Sequence, residues 1–85
     1  MSVEILRFAT VMQTKLDEND HKRHWSLYSP AWLLNRLRQE AGELERAIAS
    51  GAPADEVERE AADVANFAMM VADVVREQRR QAGES

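Results

Sequence analysis

Two pairs of carboxylates stand three residues apart on segments that read as helices, Glu40-x-x-Glu43 and Glu60-x-x-Asp63. That spacing is close to one helical turn, so each pair projects from one side of its helix. The second pair is out of place. The apolar series Phe67, Met70 and Val74 runs backwards into Asp63 and Glu60, where the pattern asks for apolar side chains. Glu40 lies beside the Leu33/Leu37/Leu44 edge of its own helix, with Glu43 one turn on. A short hairpin connection at residues 50–53 folds the two helices antiparallel and sets the pairs face to face. Carboxylates gathered at a half-buried site repel one another, and without a counter-charge some are driven to bind protons. A divalent cation is the natural counter-charge. All-oxygen ligands suit Mg²⁺, with Mn²⁺ as a substitute, and Mg²⁺ takes one or two carboxylates together with waters and the oxygens of a substrate phosphate. The chemistry implied is hydrolysis at a phosphate ester or phosphoanhydride, in which the cation neutralises developing charge and acidifies a bound water.

Acid pairs of this kind also occur on solvated helix faces, where Glu40 can pair with Arg36 and Glu43 with Arg46. A non-catalytic helical oligomerisation or adaptor module is therefore the alternative function. A di-metal redox bundle is a third reading and ranks last. Such sites join their glutamates to histidines in Glu-x-x-His pairs, and neither acid pair here contains one.

The elements that position these acids follow from pattern and punctuation. The chain has 85 residues, three glycines, two prolines and no cysteine, so it holds one all-α domain over 1–85 without disulfides or thiolate metal sites. Val3, Ile5, Leu6, Phe8, Ala9, Val11, Met12 and Leu16 predict an amphipathic helix over about 3–17. Ser29 before Pro30 predicts a second helix over about 30–49, because serine caps free N–H groups and proline at the first position loses nothing. Its core stripe reads Leu34, Leu37, Ala41, Leu44 and Ile48, and Gly51 with Pro53 ends it. A third helix spans about 54–80, acidic at its start and basic at its end, as the helix dipole favours.

The third helix is apolar on two faces, one of Val57, Ala61, Val64, Ala68, Val71 and Val75, the other of Phe67, Met70 and Val74. One short chain can scarcely cover both, so the antiparallel hairpin and N-terminal helix are expected to be completed into helical bundles by homo-oligomerisation, as a homodimer or homotetramer. Fifteen acids against eleven bases give a net charge of −4, which disfavours a nucleic-acid partner. The longest low-charge run, Val64 to Ala72, is too short to cross a bilayer, so no membrane partner is expected and the location is read as cytoplasmic.

The array Leu34-x-x-Leu37-x-x-Glu40-x-Gly42-Glu43-Leu44, followed by Glu60-x-x-Asp63-Val64 within Ala62–Phe67, resembles the MazG-like all-α nucleoside triphosphate pyrophosphohydrolases. Upstream, Lys15-Leu16, Asn19, Lys22 and Trp25 are similar to the leading segment of the short single-domain members, including the dCTP-pyrophosphatase-like branch. The resemblance covers roughly Phe8 to Asp73. It implies Mg²⁺-dependent hydrolysis of a nucleoside or deoxynucleoside triphosphate to the monophosphate and pyrophosphate, in nucleotide-pool cleansing or control. It also implies that Glu40, Glu43, Glu60 and Asp63 are the metal ligands, that one glutamate positions the attacking water, and that the protein assembles with itself. Longer relatives put base-contacting residues where this chain has only Ser50–Pro53, so the preferred base stays open.

Three further residues are candidates for substrate binding. Trp25 either stacks on a nucleobase or seals the end of the bundle. Lys22 and Arg23 either meet phosphate or are solvated loop cations, and Lys15 reads as a solvated cation. Asn66, one turn beyond Asp63, either bonds a ligand carboxylate, a metal water or the nucleotide, or is a polar interface residue. Trp32 reads as core or interface, Tyr28 is open between the two, and His21 and His24 read as surface histidines.

Overall fold

A computed structural model describes residues 1–19 and 24–83. It contains helix α1 (Val3–Asn19), a single 3₁₀ turn at Trp25–Leu27, helix α2 (Pro30–Ala49) and helix α3 (Ala54–Gln81). The all-α hairpin with an N-terminal helix is as the sequence predicts, and no strand occurs among the described residues.

The helix ends have local causes. The Ile5 N–H donates to Ser2 Oγ at 3.1 Å where α1 begins. The Trp32 N–H donates to Ser29 Oγ at 3.1 Å, and Pro30 follows the cap as the first residue of α2. At the other end Gly51 takes φ 71°, with Ala52 N–H donating to Ala47 O at 3.0 Å and Gly51 N–H to Ile48 O at 3.1 Å. This is a Schellman ending, which needs the left-handed residue that glycine supplies without strain. The turn it makes is what brings α3 back along α2.

Helix α3 packs against α2 along the hairpin and against both α1 and the 3₁₀ turn. Its buried residues are Ala62, Asn66, Met70 and Val74, each one long turn from the last, and Met70 and Val74 cluster with Leu33 of α2. Leu16, Trp25, Tyr28, Phe67, Met69 and Val71 pack around that cluster.

The α2 stripe differs from expectation. The face turned to α3 is the row Leu33, Leu37, Glu40, Leu44 and Ala47, whereas Leu34 and Ile48 stay 38% and 62% exposed and Ala41 is exposed too. Adjacent leucines at 33 and 34 offer two registers about 100° apart, and pairing with the Met70/Val74 face of α3 selects the first. The other face of α3 is left half-buried or exposed, from Val57 through Val75. Among the described residues, no helix is long and apolar enough to cross a membrane.

Candidate metal centre

Glu40 occupies the middle of the α2 row that packs on α3, a position that apolar side chains fill on either side of it. Directly across the hairpin lie Glu60 and Asp63 of α3. One carboxylate oxygen from each of the three residues lies within 4.8 Å of the others, and all three residues are half-buried. The side chains of Glu40 and Asp63 are only 16% and 17% exposed.

Each helix contributes its acids for a local reason. On α3, Asp63 follows the buried Ala62, and Glu60 sits one turn back towards α2. On α2, Glu40 is seven residues beyond the buried Leu33, two turns on and thus on the same side. Glu43 is not part of this group. Its carboxylate is 54% exposed and accepts from Arg46 Nη2 at 2.6 Å.

The electrostatics are those of crowded negative charge. Burial pushes the Glu40 carboxyl above the usual glutamate range, Asp63 adds to the shift, and Glu60 and Glu43 reinforce it against the opposing Arg36 guanidinium. Two cations temper the cluster. Arg36 Nη2 donates to Glu40 Oε1 at 3.2 Å and its Nη1 donates to Gln39. Lys15 Nζ of α1 stands 3.4 Å from Asp63 Oδ2 with only 16% of its side chain exposed. Lys15 is therefore no solvated cation. The helix that carries it packs on α3, which sets Lys15 at the acids rather than in water.

The three side chains offer hard carboxylate oxygens, with no nitrogen or sulfur donor among them, a donor set that could hold a hard metal ion.

Beside the acids is an aromatic cleft of about 150 Å³, lined by Trp25, Tyr28, Trp32, Leu33, Arg36, Phe67 and Met70. The Tyr28 and Trp32 rings stack at 4.3 Å and 15°. Trp25 Nε1–H donates to Asp73 Oδ2 at 2.9 Å, which fixes the indole against the core while leaving it on the cleft wall. Trp25 thus seals the bundle and faces the cleft at once. The Arg36 guanidinium carbon lies 5.3 Å from the Phe67 ring centroid, so this residue borders both the cleft and the acids.

Asn66 is 4% exposed, and its Nδ2–H donates to Met12 O of α1 at 3.1 Å. It ties α1 to α3, and among the described residues no donor reaches its buried Oδ1. Lys22 lies outside the described residues. Sequence reasoning overlooked Arg36 as a cleft residue, although its place four residues before Glu40 and one turn from Leu33 put it beside both. Comparison with known protein families, characterised proteins and solved structures finds no significant match for this chain.

Proposed function

We propose that this chain is a Mg²⁺-dependent nucleoside triphosphate pyrophosphohydrolase of the MazG-like kind, converting a nucleoside or deoxynucleoside triphosphate to its monophosphate and pyrophosphate. The observation that carries the reading is the convergence of Glu40, Glu60 and Asp63 across the hairpin, in rows otherwise given to packing. Charges held together in that way are costly unless a ligand uses them. In this reading the three carboxylates hold the cation, and Glu43 joins them by leaving Arg46. When bound, the cation supplies neutralisation of the phosphates and acidification of a bound water. One of the glutamates would orient the attacking water towards the α-phosphorus, and the aromatic cleft would receive the base. A cleft walled by Trp25, Tyr28 and Trp32 suits a nucleobase, since an indole offers a large face for stacking.

The same reading has the protein working as a homo-oligomer. Leu34 and Ile48 on α2, the Val57–Val75 face of α3, and Met1, Val3, Ile5 and Leu6 at the start of α1 are apolar and uncovered or half-covered by this chain. Mass measured in solution at micromolar concentration tests this, and a monomer refutes it.

A non-catalytic helical module is favoured by one observation: Glu43 makes an ordinary exposed pair with Arg46. Pyrophosphate release across a panel of ribo- and deoxynucleoside triphosphates with Mg²⁺ separates the two. The enzyme reading expects release that Glu60→Gln abolishes. No release from any nucleotide, with wild type and variant alike, leaves the helical module.

A further inference from the structure

Arg36 stands where the acids and the aromatic cleft meet. Its Nη2 reaches Glu40 at 3.2 Å, its guanidinium lies 5.3 Å from the Phe67 centroid, and it forms part of the cleft wall. The side chain is 36% exposed, more than twice the exposure of the carboxylate it pairs with. A guanidinium in that position has room to turn while its stem stays packed on α2.

We propose that Arg36 is a displaceable counter-ion and triphosphate-binding residue. It neutralises Glu40 while no metal is present, and it turns its fork onto the phosphates of a nucleoside triphosphate once a divalent cation takes Glu40. The proposal rests on the metal-centre reading above. A doubly charged ion among three carboxylates outcompetes a single guanidinium for them, and it leaves the guanidinium without its anion. The nearest new anion is then the substrate. A nucleotide with its base in the cleft and its phosphates at the acids must run past Arg36, because this residue borders both. The planar fork of arginine matches phosphate oxygens in a two-point contact, and stacking over Phe67 gives it a second resting surface that does not depend on Glu40.

This arrangement predicts effects of opposite sign on two ligands. Arg36→Gln removes the competitor at Glu40, so Mn²⁺ alone, titrated into the full-length chain and followed by electron paramagnetic resonance, binds about two- to fivefold more tightly. The same variant loses the phosphate contact, so an α,β-methylene deoxynucleoside triphosphate in saturating Mg²⁺ binds about tenfold or more weakly by calorimetry. Arg36→Lys keeps the charge without the fork, so it leaves Mn²⁺ affinity within about twofold of wild type and still weakens the nucleotide. Thermal melting of both variants confirms that they are folded, and the lysine variant keeps the test standing if the glutamine variant does not fold. The proposal is overturned if Arg36→Gln leaves either affinity unchanged, or moves both in the same direction. A different result overturns the underlying reading: wild-type protein that fails to bind Mn²⁺, or binds it no better than Glu60→Gln does.

Discussion

Replacing Glu40 with glutamine makes opposite predictions with and without metal. Glu40 faces two carboxylates whose oxygens lie within 4.8 Å of its own. Two unit charges at that distance repel by about 3.5 kcal/mol at an effective dielectric of about 20, and by about 0.9 kcal/mol in bulk water. A half-buried site falls between those limits, and two neighbours act together. Against this, the Arg36 pair contributes at most about 1 kcal/mol, because its cation is 36% exposed. Glu40→Gln is nearly isosteric and keeps an acceptor for Arg36, so the metal-free protein gains about 1–2 kcal/mol. For a chain of this size that raises the thermal midpoint by about 5–10 °C. Magnesium reverses the order. At about a hundred times its dissociation constant a ligand adds about 2.7 kcal/mol to the folded state, and only wild type has the full site. The assay is calorimetric melting of both proteins at one protein concentration, in EDTA and in Mg²⁺. A variant less stable than wild type in EDTA, or an equal gain from Mg²⁺ in both, refutes the claim that charge crowding at Glu40 is relieved by a metal.

The pH dependence of the metal-free protein follows from the same residue. Burial first, and Asp63 second, raise the Glu40 pKa, so the folded state holds that proton more tightly than the unfolded chain does. Its stabilising contribution is full below the unfolded value and is lost as pH rises through the folded one. The midpoint of wild type in EDTA should therefore fall relative to Glu40→Gln as pH climbs above the ordinary glutamate range, and parallel curves refute it. Asn66→Ala removes the donor to Met12 O and opens a gap between α1 and α3, at a cost of about 1–3 kcal/mol read from urea unfolding; an unchanged midpoint refutes a structural role for Asn66. Trp25→Phe keeps most of the apolar ring but loses the bond to Asp73, so stability falls by about 1 kcal/mol while KM for the nucleotide rises. An unchanged KM with reduced stability leaves Trp25 as a seal alone.

The local signals in the sequence were strong because each has a short-range cause. Ser29-Pro30 and Gly51 sit where caps need an acceptor, a fixed φ and a left-handed residue, and the structure uses each in that role. The hairpin follows from those boundaries and from helical spacing, and across it Glu40 approaches Glu60 and Asp63. What periodicity left open was rotation. Leu33 and Leu34 are both apolar, and the choice between them depends on the partner face, which is a tertiary fact. Lys15 was equally opaque. Its role depends on how α1 lies on α3, and residues so far apart in the chain leave no spacing signal.

The attachment of α1 is itself of an unusual kind, and it bears on the site. No residue of α1 is fully buried; Phe8, Val11, Met12, Lys15 and Leu16 are only half-covered. Alongside that partial apolar contact stand three ion pairs to α3: Arg7 to Glu58 at 3.4 Å, Lys15 to Asp63 at 3.4 Å and Glu18 to Arg59 at 2.6 Å. The outer two are exposed and the central one is not, so salt acts on them unequally. At about 1 M ionic strength the screening length shrinks to about 3 Å, which weakens exposed pairs far more than a buried one. Raising salt should therefore speed amide hydrogen exchange in α1 while α2 and α3, joined through the Leu33, Met70 and Val74 cluster, hold their protection. Lys15→Met should extend that loosening to low salt, because the central pair is the one screening spares. Uniform acceleration across all three helices would mean that α1 is held by the common core, and the ion pairs would then be incidental to its position over Asp63.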